Sequence, residues 1–426
     1  MIRRLKPKSQ FSRNVLTLLT GTTIAQSVPI AVMPILTRLY TPEDFGLLAL
    51  FLSITAILTV FATARYELAI MMPKDNTEAS NIFWLVILIS LLISFILLII
   101  VLLFGEHITV LLANKEIGPW LYLIPISVFL TGCYQAFNYW NTRNKMFSDV
   151  AKSKVINSTL ISGTQLTIGM TPNNSMGLLG GVIAGQFGST LYLANKVRKD
   201  NHISPFALED SINMAIKYKK FPLVSTWGAL FDRLAQQMPI FMLIKYYSVN
   251  VTGQFSLTFR VLNLPMTLIG TSISQVLYQK IVEIYQYSPE KLKSYIIRFF
   301  ILLCIPMIPM IIVLNLWGES LFLFVFGKEW RMAGALAATL SIAVAVRFAV
   351  SPLSMVLAMD HNLKLGTLWQ AIYLLTLTTT LIVAVRYELE TFVLIFVIHE
   401  VFLYLIYFVF ILKGCDHIRI NKEGVK

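Results

Sequence analysis

Asn81–Phe104 (NIFWLVILISLLISFILLIIVLLF) runs for 24 residues without a charged side chain. As an α-helix rising about 1.5 Å per residue it reaches about 36 Å, more than the roughly 30 Å of a bilayer's hydrocarbon core. Apolar runs of the same kind lie on either side. Asn14–Leu36, Phe45–Ala64, Gly118–Trp140, Val155–Met170 and Gly177–Ala194 share the first half with it. Phe221–Ile244, Gly253–Tyr278, Tyr295–Leu316, Met332–Met355, Leu365–Val385 and Thr391–Leu412 occupy the second. Twelve spans are expected, with Val155–Met170 short and unusually polar. No ten-residue alternation of a barrel strand appears, so the fold class is all-α integral membrane.

Composition agrees. The 426 residues are 56% hydrophobic and only 13% charged, whereas a soluble domain carries about 25% charged residues to cover its core. A soluble enzyme, a disordered chain and a secreted disulfide scaffold are excluded. Three scattered cysteines, Cys133, Cys304 and Cys415, offer no disulfide or metal framework. The basic N-terminus leads into an apolar segment without a small-residue cleavage site, which reads as a retained first span.

A net charge of +13 suggests nucleic acid in a soluble protein. Here it has another source. With the N-terminus cytoplasmic, 26 of the 35 Lys and Arg residues fall on inside segments and 6 on outside loops. That bias follows the positive-inside rule, is expected to place both termini in the cytoplasm, and directs the charge at anionic membrane lipids. No nucleic-acid partner is expected. The cytoplasmic linker 196–220 holds Ser204 and Pro205 as an expected N-cap and first helical residue. Phe206, Leu208, Ile212 and Ile216 follow as the apolar face of a helix lying on the membrane surface.

The halves repeat. Met33-Pro34-Ile35 returns as Met238-Pro239-Ile240, and Tyr40-Thr41 with Gly46 returns as Tyr247-Ser248 with Gly253. Gly105-Glu106 and Lys115-Glu116 return as Gly318-Glu319 and Lys328-Glu329. Six spans per half make the repeat parallel: lobes 1–195 and 221–426 around a central cavity, joined by the linker, as in an alternating-access carrier. Pro34 and Pro239 interrupt equivalent spans and are candidate hinges.

Ionisable groups at membrane depth are costly and face cavities or partners. Arg233, Arg260, Arg347, Asp232, His399 and Glu400 are the deep ones by this layout. Arg260 heads a polar stripe of Asn263, Thr267, Thr271 and Ser274. Asp232, Arg233, Gln236 and Gln237 line span 7, and Thr20, Thr23, Gln26 and Ser27 line span 1, with Ser27 opposite Asp232 in the repeat. The plain structural reading pairs Asp232 with Arg260 and Glu400 with Arg347. His399 and Glu400 are also candidates for proton coupling. No catalytic carboxylate set, P-loop, metal set or cofactor motif appears, so a transporter and not an enzyme is expected.

The run Met33–Gly46 (MPILTRLYTPEDFG) resembles the opening of bacterial polysaccharide flippases. So do Arg65–Lys74 (RYELAIMMPK), the glycine-rich Gly177–Gln186 and the loop Asn141–Lys145 (NTRNK). These are the Wzx-type O-antigen and exopolysaccharide flippases of the multidrug/oligosaccharidyl-lipid/polysaccharide superfamily. The resemblance implies a carrier of undecaprenyl-pyrophosphate-linked repeat units from the cytoplasmic to the periplasmic leaflet. It also implies cationic cavity residues, matched by depth to Arg260, Arg233 and Arg347, and polymerase or chain-length proteins as partners. An Arg fork suits phosphate, and hydroxyls and amides suit sugars. The rival of the same superfamily is a drug/cation antiporter, which generally uses an acidic site in the first lobe, where no deep acid lies. A membrane polymerase or ligase would need a large periplasmic loop.

Overall fold

In hydrocarbon the backbone must satisfy its own polar groups, which leaves helices as the building material. A computed structural model describes residues 10–171, 176–199, 203–266, 274, 277, 280–281, 283–284, 289–358 and 363–423, with no strand among them. The chain forms two compact units, Met1–Arg233 and Leu234–Lys426. The first holds α1 (Gln10–Leu39), α2 (Pro42–Ala62), a 3-10 turn (Tyr66–Met71), α3 (Asn76–Leu111), the short α4 (Gly118–Leu121), α5 (Leu123–Arg143), α6 (Phe147–Gly169), α7 (Met176–Lys199) and α8 (Leu208–Lys217). The boundary falls inside α9 (Thr226–Tyr246). The second unit continues with α10 (Val249–Leu262), α11 (Leu292–Cys304), α12 (Met307–Phe326), α13 (Arg331–Val350), a 3-10 stretch (Ser351–Ala358), α14 (Leu363–Ala384) and α15 (Leu389–Glu423).

Among the described residues, eight segments are long and apolar enough to cross a membrane by length and composition. They comprise α1, α2, α3, α4 with α5, α7, α11 with α12, α13, and α15. Of the other four expected spans, three are helical as α6, α9 and α14, the last containing the shorter apolar helix Leu368–Ala384, and Gly253–Tyr278 is described chiefly over its first part, in α10. The protein is a multi-pass membrane protein.

The sequence repeat is a repeat of local structure. Thr41 caps α2 by accepting from Asp44 N, and Ser248 caps α10 by accepting from Val251 N. Just before each cap a tyrosine ties its loop to another segment of its own unit, a helix in the first and the bend between α14 and α15 in the second. Tyr40 donates its hydroxyl to Gln165 O at 2.6 Å, and Tyr247 donates to Tyr387 O at 2.7 Å. Helix pairing repeats as well. The contacts α3–α5, α5–α7, α2–α5 and α6–α7 of the first unit answer to α12–α13, α13–α15, α10–α13 and α14–α15 of the second.

The first unit is built around α6, which packs between α1 and α7. Glycines permit the close approach on the α7 side, as small residues do wherever membrane helices meet without a hydrophobic driving force. A Cβ at Gly181 would lie 2.9 Å from Ile161 O, and one at Gly185 would lie 2.7 Å from Asn157 O. Polar side chains in this seam are satisfied: Gln165 Nε2 donates to Leu178 O and Asn157 Nδ2 to Ser189 Oγ.

The linker departs from expectation at its start. Residues 203–207 are not helical and α8 begins at Leu208, so Ser204 and Pro205 are not its N-cap and first residue. Ser204 is instead tied to α3: its N–H donates to Ser80 Oγ at 3.1 Å and its carbonyl accepts from Trp84 Nε1 at 3.0 Å. Held that way, the segment cannot wind into the helix. α8 docks on the first unit through buried Ser211, through Ala215 O, which accepts from Tyr66 OH, and through Lys217, 2.7 Å from Glu78. The Glu78 hydrogen bond raises the Lys217 ammonium above its ordinary pKa. The expected apolar face, Phe206, Leu208, Ile212 and Ile216, points outward and is exposed.

Gly185→Leu is expected to force α6 from α7, destabilising the first unit by about 1–3 kcal/mol or more. Gly105→Leu, whose Cβ would meet nothing within 4 Å, serves as the control. Thermal unfolding in detergent checks this; equal melting temperatures for both variants would contradict the seam.

Candidate functional site

In the second unit, Ser248 starts α10 and Gln254 then locks the helix onto α13. Gln254 Nε2 donates to Glu329 O, and its Oε1 accepts from Ala333 N. Thr258 donates to Gln254 O and Ala333 O. Two residues on, Arg260 is exposed and makes no hydrogen bond or ion pair with any described residue of its own unit. A guanidinium has five donors and no acceptor, so Arg260 offers a full fork to an anion. The polar stripe beyond it is not one continuous helix. α10 ends at Leu262, Asn263 closes it, and the Asn263 amide Nδ2 is committed to Phe259 O at 2.7 Å. Thr267 and Thr271 lie outside the described residues; Ser274 is engaged by a neighbour.

Three other candidates of this unit converge. Glu400 and His399 are both buried on α15, with Glu400 only 2% exposed. Tyr373 of α14 donates its hydroxyl to Glu400 Oε1 at 2.7 Å, and His399 Nδ1 lies 3.7 Å from that same oxygen. Both ring nitrogens of His399 are buried without a hydrogen-bond partner among the described residues. Arg347 of α13 is half-buried with its guanidinium 5.8 Å from the centre of the Tyr404 ring. Tyrosines therefore mediate between the charges: Tyr373 meets Glu400, and Tyr404 carries Arg347. Two adjacent buried titratable groups with an unsatisfied imidazole are an arrangement that can take up and release a proton.

On α9, Asp232 and Arg233 are exposed and end the first unit, while half-buried Gln236 and buried Pro239 begin the second. Asp232, Arg233 and Gln236 are all engaged by neighbours. On α1, Ser27 is exposed and donates to Thr23 O, and Gln26 holds its Oε1 buried without a partner among the described residues. Pro34 sits inside a continuous helix, where its carbonyl accepts from Thr37 Oγ1 and Arg38 Nη1.

Two features escape a reading of the sequence alone. First, Lys154 reads there as a loop residue, but α6 begins at Phe147 and carries Lys154 into the α1–α6 seam. It is half-buried there, and its Nζ donates to Thr22 Oγ1 at 3.1 Å. Second, two of the signature stretches interlock. Asn141–Lys145 is not all loop, since α5 runs through Arg143, and from that last helical residue Arg143 grips the end of Arg65–Lys74: Nη1 donates to Ile70 O and Pro73 O, at 3.1 and 2.7 Å. Nη2 reaches Lys74 O, Asp75 O and Asn76 Oδ1. The gripped segment leaves α2 through Ala64 and Arg65 at φ 47° and 64°, a left-handed pair that non-glycine residues adopt only under outside constraint. Arg65 then pairs with buried Glu67 at 3.5 Å. A separate groove of about 790 Å³ is lined by α3, α5 and α7, including Leu91, Phe95, Ile126, Phe129 and Phe187. Its walls are almost entirely carbon, so it can hold hydrocarbon and not a charged headgroup.

The model of a family described as polysaccharide biosynthesis protein matches residues 35–334, well over half of the chain. The chain belongs to the polysaccharide biosynthesis protein family. No curated protein matches it. Among solved structures, the lipid II flippase MurJ in an inward closed conformation superposes with a TM-score of 0.72 at 14% identity, covering 93% of this chain and 86% of that one. An inward-facing multidrug resistance MATE transporter of the MOP superfamily superposes at 0.63 and 14%, covering 96% and 95%. An outward-facing multidrug resistance MATE transporter of the same superfamily gives 0.62 at 14% identity, covering 95% and 96%. At such identities the likeness establishes the fold: this polysaccharide biosynthesis protein has the all-helical MATE/MurJ architecture.

Arg143→Ala is expected to free the 70–76 segment, at a cost of about 2 kcal/mol for the lost charge-assisted bonds. Arg143→Lys should rescue little because an ammonium cannot fork across five acceptors. Limited proteolysis at Lys74 reads both; protection equal to the parent chain in Arg143→Ala would contradict the clamp.

Proposed function

We propose that this protein is a lipid-linked oligosaccharide flippase of the bacterial inner membrane. It carries undecaprenyl-pyrophosphate-linked O-antigen or related repeat units from the cytoplasmic to the periplasmic leaflet by alternating access of lobes 1–195 and 221–426. The observation that carries this reading is Arg260: an exposed guanidinium in a capped and tightly locked helix, with no hydrogen bond or ion pair to a described residue of its unit. A cation kept there at electrostatic cost fits an anionic cargo. The family match favours a glycan intermediate over the drug cargo of the exporters that share the fold.

In this reading Arg260, Arg233 and Arg347 are the cations that bind the pyrophosphate. Asp232, Gln236, Asn263, Gln26 and Ser27 meet sugar hydroxyls, with Asn263 keeping its carbonyl oxygen and its second amide N–H for the task, and Pro34 and Pro239 are the hinges. Both termini lie in the cytoplasm, and the basic inner loops rest on anionic lipid. Polymerase and chain-length proteins receive the product. With the cell interior negative, outward movement of the anion is favoured by about 2.3 kcal/mol per charge per 100 mV, and an empty cationic cavity is drawn back by the same field. The Tyr373–Glu400–His399 group is the proposed proton-coupling site.

Arg260→Ala is expected to abolish surface polysaccharide while protein level and membrane insertion stay intact. Normal polysaccharide in that variant removes Arg260 from the mechanism. Glu400→Gln should lose the response of flipping to an imposed pH gradient in vesicles and keep downhill exchange. An undiminished response would remove the proton role.

A further inference from the structure

We propose that Lys154 of α6 and Thr22 of α1 form a second anion site, in the first unit, for the pyrophosphate of the lipid-linked substrate. The proposal rests on the flippase reading above and adds to it a cation outside the set Arg260, Arg233 and Arg347.

The site is built by close packing. A Cβ at Gly21 would lie 3.1 Å from the backbone Cα of Ala151, so α1 and α6 are nearly in backbone contact one residue before Thr22. Farther along, Tyr40 reaches Gln165, and the two helices run side by side between these points. Lys154 in the second turn of α6 is thereby set against Thr22, and its only hydrogen bond among the described residues is the one to Thr22 Oγ1.

The charge is not balanced locally. The one acid of α6, Asp149, is already occupied: it accepts from Tyr192 OH at 2.8 Å and pairs with Lys196 at 3.6 Å. Lys154 makes no ion pair with a described residue. An ammonium among helices of a membrane protein, without a counter-ion, is a functional position by default.

The donors left over match a phosphate. An ammonium has three N–H groups, and one is used. Because the Thr22 oxygen accepts from Lys154, the Thr22 O–H is left to donate, so cation and hydroxyl can both face an anionic oxygen. On the same helix Thr23 and Ser27 are exposed, and the Ser27 hydroxyl, which donates to Thr23 O, keeps its lone pairs for a ligand hydroxyl. A cation and hydroxyl flanked by acceptors suit a phosphate ester that carries a sugar. Hydrocarbon would find nothing there.

The test uses the full chain in nanodiscs with two probes, undecaprenyl pyrophosphate and uncharged undecaprenol. Lys154→Gln is expected to weaken undecaprenyl pyrophosphate about tenfold, the scale of one charge-assisted contact, and to leave undecaprenol unchanged. Lys154→Arg should bind as the parent chain does. Lys154→Met keeps the aliphatic stem in the seam, and should the Gln variant unfold it is expected to show the same selective loss. Parent-like pyrophosphate binding in a folded Lys154→Gln or Lys154→Met chain overturns the Lys154 site and leaves the flippase reading standing. Equal weakening of both probes makes Lys154 a helix tie and also overturns the site. A parent chain that prefers neither probe overturns the site and the reading together.

Discussion

A polar group in hydrocarbon without a hydrogen bond costs several kcal/mol, and most of the architecture answers that one constraint. The backbone is helical, and the polar side chains that remain within helices turn to carbonyls. Ser90 donates to Ala62 O and Val86 O, Tyr40 to Gln165 O, Gln165 to Leu178 O, and Thr258 to Gln254 O and Ala333 O. These bonds hold helices at the short distances that Gly181 and Gly185 allow. Where satisfaction is the rule, the groups that lack it gain meaning. Arg260 without a partner in its unit, Lys154 with one hydroxyl and His399 with both nitrogens unmet depart from that rule, as do single buried atoms of Gln26, Trp140, Asn141 and Ser162 among the described residues.

The polarity of individual helices carries the same message. Of the four expected spans outside the set of eight, α6 and α9 are long enough but more polar, and they carry Lys154 and Asp232 with Arg233; α10, which carries Arg260, is described only over Val249–Leu262. Charge does not by itself keep a helix out of that set, since α13 carries Arg347 and still meets the requirement. The apolar helices α3 and α12 expose long rows of Leu, Ile and Phe.

Much of this is legible without coordinates. Apolar run length marks the helices. The Tyr-Thr and Tyr-Ser pairs of the repeat are matching caps preceded by matching tyrosine ties, because both halves need the same sharp turn between spans. The glycines of Gly177–Gln186 enter the sequence reading only as part of the family resemblance, and their packing role emerges from the short approach of α6 to α7. Ser204-Pro205 misleads because local capping preference loses to hydrogen bonds with Ser80 and Trp84, about 120 residues away in the chain. Lys154 is hidden because a charge beside a short span counts as a loop residue until helix phase places it in a seam. Arg143 cannot be assigned from sequence, since its acceptors are mostly backbone carbonyls and carry no residue signature.

The roles proposed for the cations depend on one proposed property of the cargo: that it is an anionic lipid-linked glycan that needs fixed cations on its path. The direct measurement is translocation by the purified chain in proteoliposomes loaded with an undecaprenyl-pyrophosphate-linked oligosaccharide, scored by appearance of the sugar on the outer leaflet. Translocation that requires the chain, and that slows when the pyrophosphate is replaced by a neutral linkage, is the predicted result. Equal rates with and without the chain, or indifference to the phosphate charge, would contradict it.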